Sequence, residues 1–533
     1  MKKLMWMMMG LALVACNPND PDTPDNPDNP GGTDTTSTTV DTTNVGDDDN
    51  DFVENQKWNS TVSVVWNGAS ASVSGEVDGV SVTSENGYVV VTSTAKHVQY
   101  NLSGTGTGQM KIYSDYKFRL NLNGLSLTCS DGPAINNQCK KTCYTVVSGT
   151  NTLKDGNLYA TSEDSQKAAF FSEGQLVFTG TGTLSVNGQY KHALASDDYI
   201  RVREGVMNLS TTASDGMHAK DGIIVNGGSI TVSAAGDGIQ CDTSSIVITD
   251  GTINVTSAGD KGLLAYGDIV ISGGTINVNS TGKGIRTQGD LEVQGGTIAV
   301  IASGSTTTAK APILFAPTWG PGGGPGGGPG GGPGGGPGGN SGGVEGIEAE
   351  GKITFTGGVV FSQAGDDAIN SGGDMIVNGG TVCAYSTGND GLDANGNCYI
   401  KGGLVYAIGA GSPEVAIDAN SEEQKKLYVE GGTLVAIGGL ESGASLSQTC
   451  YSTNSWSANT WYALTVGSEV FAFLTPASAG STLVVSGASK PTLESGVTVT
   501  GGNYIFNQMG CAGAAYTGGT AVSLSTYSGN NRW

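Results

Sequence analysis

A Gly-Gly or Asp-Gly corner followed by a short alternating run of β-branched residues occurs eight times between Gly227 and Gly432. It reads Gly228-Ser-Ile-Thr-Val232, Gly251-Thr-Ile-Asn-Val255, Gly274-Thr-Ile-Asn-Val278 and Gly296-Thr-Ile-Ala-Val300. It returns as Gly358-Val-Val-Phe361, Gly380-Thr-Val-Cys383, Gly403-Leu-Val-Tyr406 and Gly432-Thr-Leu-Val435. The corner recurs every 22 or 23 residues, apart from one Gly/Pro insert and one longer final turn. A unit that short cannot bury its own apolar side, so the units must stack on one another.

A second motif precedes each corner. It appears as Asp215-Gly-Met-His218, Asp237-Gly-Ile-Gln240, Lys261-Gly-Leu-Leu264 and Lys283-Gly-Ile-Arg286. After the insert come Glu345-Gly-Ile-Glu348, Asp367-Ala-Ile-Asn370, Asp390-Gly-Leu-Asp393 and Val415-Ala-Ile-Asp418. Each repeat therefore has at least two strands with inward Ile, Leu or Val, and parallel coils stack at about 4.8 Å. The sequence predicts an all-β chain, a right-handed parallel β-helix over residues 58–439. Residues 304–343, with the low-complexity run Gly320–Gly339, interrupt the stack at a corner and read as an unfolded insert. The upstream arm Ala311–Trp319 is apolar enough to lie on the body. Residues 440–533 hold three further strand-like runs and predict a small β cap or domain.

The 87 glycines fit tightly turned β-structure, and the net charge of −23 argues against nucleic acid, whose phosphates reward Lys and Arg. Eleven of the acids lie between Asp20 and Glu54, where no basic residue occurs. Lys2 and Lys3 precede an apolar stretch, Leu4 to Ala15, that reads as a secretory signal and is too short for a comfortable membrane span. It ends in Leu13-Val14-Ala15-Cys16, which resembles the bacterial lipobox, so Cys16 is the expected lipidation site and the lipid the expected membrane contact. An ordinary signal peptide is the alternative. Residues 16–57 read as a disordered acidic tether, and the acids close behind Cys16 resemble surface-export signals of outer-membrane-rich bacteria. With three histidines and no Cys-x-x-Cys, a zinc site is not expected. Cys241 and Cys398 fall at inward positions and read as buried free thiols.

Stacking turns each repeat position into a column. The corner column reads Asp215, Asp237, Lys261, Lys283, Glu345, Asp367 and Asp390; the outward column runs from His218 to Asp393 and Asp418. Like charges stacked at about 5 Å repel, so Glu345, Glu348, Asp366, Asp367, Asp390, Asp393 and Asp418 call for a cation, and calcium suits an all-oxygen set. Asp215, Asp237, Asp242 and Asp260 are weaker candidates of the same kind. The alternative is that these acids cap glycine turns.

Lys261, Lys283 and Arg286 break the acidic column. Beside carboxylates and calcium they could neutralise a uronate and serve β-elimination, the polysaccharide-lyase alternative; equally, they could bind an acidic glycan or pair with their acidic neighbours. Outward positions of the later coils turn apolar: Phe361, Cys383, Tyr385, Tyr406, Ile408, Val435 and Ile437. Tyr385 and Tyr406 could form a glycan-stacking platform, or the C-terminal segment could cover this face.

The phrases Leu122-Asn-Gly-Leu-Ser-Leu127, Ser130-Asp-Gly-Pro-Ala-Ile135, Gly180-Thr-Gly-Thr-Leu-Ser-Val186, Asp197-Asp198 and the run from Gly236-Asp-Gly-Ile to Gly251-Thr-Ile-Asn-Val255 resemble the bacterial carbohydrate-binding parallel β-helix proteins. The resemblance covers roughly residues 60–440. It implies a pectate-lyase-like fold, calcium in acidic turns and non-catalytic binding of cellulose-like or acidic polysaccharide. Lys220, Lys261 and Lys283 depart from its acidic turns. The expectation is a calcium-stabilised, surface-exposed lipoprotein of the outer membrane that binds polysaccharide; a structural or adhesin module is the further alternative.

Overall fold

The computed structural model describes residues 51–257, 259–304 and 344–529. All eight corner glycines, Gly228 to Gly432, adopt φ between 74° and 101°. An L side chain is strained in that region, so the corner selects glycine and the chain reverses at the same point of every coil. The result is a parallel β-solenoid of about 12 turns whose coils lie about 23 residues apart.

Each coil has three strands, one more than the two motifs of the sequence mark. In one coil these are Ile285–Thr287, Leu291–Val293 and Thr297–Ala302. The middle face escaped notice because its strands, such as Ile269–Ile271 and Met375–Val377, are only three residues long with one outward side chain. Inward residues stack in unbroken columns, for example Ile239, Leu263, Ile285, Ile347, Ile369 and Leu392, each 1% exposed or less. Such columns remove nearly all apolar surface from water, the dominant stabilising term. A second glycine, just after the corner-column residue, is dictated by this packing. A Cβ on Gly238 would sit 2.0 Å from Val255 Cγ1, and one on Gly284 would sit 2.1 Å from Val300 Cγ1. Further along, where the valine column gives way to Ser362, Ala384 and Ala407, alanine enters the glycine column at Ala368.

Register runs straight across the insert, Ile285 pairing with Ile347 and Thr297 with Val359. The expected insert core at 305–343 and its Ala311–Trp319 arm lie outside the described residues, as do the signal peptide, Cys16 and the tether up to residue 50. The expected tether does not extend to residue 57. Arg201 and Arg203 project from Tyr199–Val202 and the residue after it, and Asp51 and Glu54 supply their counter-charges at 3.1 and 2.7 Å. The Arg203 guanidinium also lies 3.7 Å from the Phe52 ring centroid. Residues 51–55 are thereby fastened to the flank of the solenoid.

The C-terminal residues fold back on the last coils. Leu483–Ser486 pairs antiparallel with Thr433–Ile437 and with Cys450–Thr453. Trp461–Val466, Glu469–Leu474, Thr492–Ile505 and Gly510–Ala521 close a four-stranded barrel. Tyr462, Leu464, Phe471, Phe473 and Phe506 bury the apolar late face, including Phe361, Cys383, Tyr406, Ile408, Val435 and Ile437. All eight described cysteines are buried free thiols, Cys241 and Cys398 among them.

Candidate functional site

The corner and outward columns run side by side along one edge of the solenoid, and pairing extends both. Leu194 pairs with Met217, which places His192 one coil before Asp215 in the corner column. Ile417 bridges to Leu440, which carries the outward column on from Asp418 to Glu441. Both additions were legible: Lys191-His192-Ala-Leu194 and Leu440-Glu441 keep the spacing of the neighbouring coils.

The corner aspartates serve the stack first. Asp215 Oδ1 accepts the backbone N–H of Asp237 at 2.9 Å, and Asp237 Oδ1 accepts that of Lys261 at 2.7 Å. Asp367 Oδ1 accepts from Asp390 N at 3.1 Å, and Asp390 Oδ1 from Val415 N at 2.6 Å. Each acid thus caps a donor of the next coil rather than of its own turn. A parallel column unnoticed in the sequence does the same at the following corner, where Asp268, Asp290, Asp374 and Asn397 receive the N–H of Asp290, Lys352, Asn397 and Lys426. The other carboxylate oxygen remains for side-chain chemistry, and its surroundings divide the edge into three.

In the middle, the cations are engaged. Lys283 Nζ lies 3.2 Å from Glu345 and 2.6 Å from Glu348; Arg286 lies 3.1 Å from Glu348 and 2.6 Å from Glu350. Lys261 Nζ is 2.6 Å from Asp260 and 4.0 Å from Asp237. Glu345 and Glu348 therefore already have their positive partners, which removes the reason for assigning them to calcium. Asp237 and Asp260 are in the same position.

At the C-terminal end no lysine or arginine intervenes. Asp390, Asp393 and Asp418 each offer an oxygen, and these lie within 4.8 Å of one another. Burial, with Asp393 and Glu414 adding repulsion, pushes Asp390 up to about 7. Burial also raises Asp418, helped by its contact with Glu441, and raises Asp367, helped by the charge of Asp393. Asn370 Nδ2 donates to Asp393 Oδ2 at 2.7 Å and to Asp367 Oδ2 at 3.1 Å, tying two of the acids together without neutralising them. Asp366 stands apart, accepting from Asn389 at 2.7 Å. An all-oxygen set with excess negative charge fits a hard cation. Glu441 also lines a polar cleft of about 240 Å3 between the last coil and the C-terminal segment.

At the other end, Asp215 lies between two imidazoles, His192 Nδ1 and His218 Nδ1 each 3.0 Å from its Oδ2. His218 Nε2 reaches Asp242 Oδ2, also at 3.0 Å. Nitrogen donors suit this group to a softer ion than the calcium expected at Asp215 and Asp242.

The expected platform of Tyr385 and Tyr406 is closed. Tyr406 is 0% exposed, its hydroxyl donating to Leu474 O at 2.8 Å beneath the barrel, and Tyr385 is half-buried against the same cluster. Of the two readings the sequence leaves open for this apolar run, the cover by the C-terminal segment is the one the barrel strands realise. Exposed aromatic surface occurs elsewhere. Tyr190 is 44% exposed and stacks on Tyr159 with centroids 4.0 Å apart. Tyr159 is fixed by Asp155 Oδ2 at 2.6 Å, and Asp155 Oδ1 takes the N–H of Gln189 at 2.6 Å. Tyr399 and Tyr428 form a second stacked pair on the middle face, 4.9 Å apart. These pairs are formed by stacking of coils, and Tyr159 and Tyr190 lie in irregular early coils where the repeat gives no register.

A family model described as carbohydrate-binding domain-containing protein matches residues 84–391. Among solved structures, one described as the polysaccharide lyase-like protein from C. thermocellum, gadolinium derivative, is similar at 21% identity, over 44% of this chain and 92% of that one, with a TM-score of 0.34. No curated protein matches the chain.

Proposed function

This chain belongs to the family of carbohydrate-binding domain-containing proteins, and from that premise we propose that it binds polysaccharide without cleaving it. The observation that carries the binding surface is the Tyr159–Tyr190 pair, which lies within the matched residues. One ring is held from behind by stacking and by Asp155 while the other keeps an open face. Such a rigid aromatic plane accepts the apolar C–H face of a sugar ring at little cost in side-chain entropy. The pairing of Lys261, Lys283 and Arg286 with neighbouring acids favours binding over elimination, since a uronate would have to displace those partners.

Calcium in this reading is held by Asp390, Asp393 and Asp418 with Glu441 beside them, where it relieves charge crowding and stiffens the last coils. Anchoring is through lipidated Cys16, placing the solenoid at the surface of the outer membrane.

Affinity electrophoresis through gels containing a neutral β-glucan or polygalacturonate, with calcium or with chelator, tests the proposal. The chain is expected to be retarded by at least one of them, and Tyr190→Ala to weaken retention by about tenfold, about 1.4 kcal/mol. Unretarded migration in every gel would sink the binding role. Full retention of Tyr190→Ala would move the site away from this pair.

A further inference from the structure

We propose that His192, Asp215 and His218 form a binding site for a divalent transition-metal ion of the zinc type, distinct from the acidic cluster at the other end of the solenoid. His192 Nδ1 and His218 Nδ1 each lie 3.0 Å from Asp215 Oδ2, and one donor atom from each residue falls within 4.8 Å of the others. Donors bound tetrahedrally at about 2.0–2.1 Å from one ion are about 3.3 Å apart, so both imidazole–carboxylate distances are already near ligand spacing. Two imidazoles and a carboxylate are a donor set that selects zinc, cobalt, nickel or copper over calcium.

The second observation is His192 itself. It is 1% exposed, and neither ring nitrogen makes a hydrogen bond. A buried polar group with no partner is costly and uncommon in folded proteins. The approach of Nδ1 to Asp215 lacks hydrogen-bond geometry, yet it brings the ring to the shared oxygen. An ion there would give the orphaned lone pair its partner.

The surroundings of Asp215 and His218 match what metal ligands need. Asp215 is oriented by its other oxygen, which accepts the N–H of Asp237 at 2.9 Å. His218 Nε2 meets Asp242 Oδ2 at 3.0 Å, and Asp242 Oδ1 accepts from Gln240 Nε2 at 2.7 Å. A carboxylate on the far nitrogen fixes ring orientation and raises ligand basicity. Both nitrogens of His218 face carboxylates, each at 3.0 Å. Binding replaces the Nδ1 proton with the metal and releases it to solvent, while Nε2–H continues to donate to Asp242. Three protein ligands from two successive coils, braced by Asp242 of a third, pin this edge of the stack and leave a position for water.

Co2+ serves as the probe, because nitrogen ligation in a low-symmetry site produces visible d–d bands that aqueous Co2+ shows only weakly. Full-length protein, stripped with chelator, is titrated with Co2+ and then with Zn2+ as competitor, in excess calcium throughout. The wild type should develop the bands, lose them to stoichiometric Zn2+, and melt at a higher temperature as Zn2+ rises. His192→Ala and His218→Ala should each abolish the bands. Asp242→Asn, which leaves every ligand in place, should weaken Co2+ by about 10–100-fold. Melting in chelator shows which variants fold; should a histidine variant not fold, Asp242→Asn decides. Absence of bands in the wild type, bands unchanged in a folded His192→Ala, or Co2+ affinity unchanged in Asp242→Asn would each overturn the assignment.

Discussion

Lys283 Nζ lies 2.6 Å from Glu348 Oε2, although sixty-five residues separate the two in sequence. The pair belongs to adjacent coils, and the backbone register Ile285 to Ile347 holds it there. The ends of the described chain are also neighbours, since a Cβ on Gly304 would lie 3.4 Å from Val344 Cγ2. Replacing residues 305–343 by a short Gly-Ser link should therefore leave the fold intact, with a stability gain of no more than about 2 kcal/mol because loop entropy varies only logarithmically with length. Urea unfolding followed by circular dichroism measures it.

Removing the cation is a different matter. Lys283→Met takes from Glu345 the cation at 3.2 Å and leaves Glu348 with Arg286 alone, in a site where the two side chains are 12% and 15% exposed. The expected loss is about 1–3 kcal/mol, discounted from a fully buried pair because Lys283 retains some solvent. Adding Glu348→Gln should recover part of it, and a double-mutant cycle with no coupling would show that the pair is incidental.

Gly238→Ala should cost about 1–3 kcal/mol, because its Cβ would meet Val255 Cγ1 at 2.0 Å. Val255→Ala in the same chain should return some of that loss, by the same exchange the protein makes where Ala368 and Ala384 replace glycine and valine. Additive thermal shifts for the two substitutions would refute the steric account.

The acidic end predicts an inverse pH dependence. Asp390 is raised to about 7 in the native state, against about 3.9 unfolded. A carboxyl with a raised native pKa binds protons more readily when folded, so its contribution to stability falls as pH rises through that interval. In chelator the melting midpoint should thus be higher at about pH 5.5, inside that interval, than at about pH 8, above it. Calcium should raise the midpoint at the higher pH and do little at the lower. Asp418→Asn should stabilise the metal-free chain and blunt the calcium response. A midpoint indifferent to calcium and chelator would remove calcium from this cluster.

The two tyrosine sites separate packing from recognition. Tyr406→Ala should destabilise by about 3–5 kcal/mol, as expected for an aromatic removed from a closed core, yet leave glycan retention of the folded fraction unchanged. Tyr190→Ala should do the reverse, which paired gel retardation and melting can read.

The repeated corners made the solenoid legible because the same backbone angle is imposed eight times, and only glycine meets it cheaply. The columns follow from that register, so the basic middle and the acidic end are legible in the sequence. His192 was missed through starting the column at the first regular corner, and Glu441 through stopping it where the glycine phrase stops. At Tyr385 and Tyr406 platform and cover both stayed open, since periodicity shows which side a residue faces, whereas what covers that side depends on distant chain. The barrel residues Phe471 and Phe473 carry no repeat that points back to Tyr406.

A stack of identical rungs has no inherent reason to stop growing, since the last rung offers the next molecule the same edge that it received. Here Leu483–Ser486 runs against Thr433–Ile437 in the opposite direction. That reversal occupies one face of the terminal rung with a strand no solenoid coil can imitate, and so guards the molecule against end-to-end filament growth.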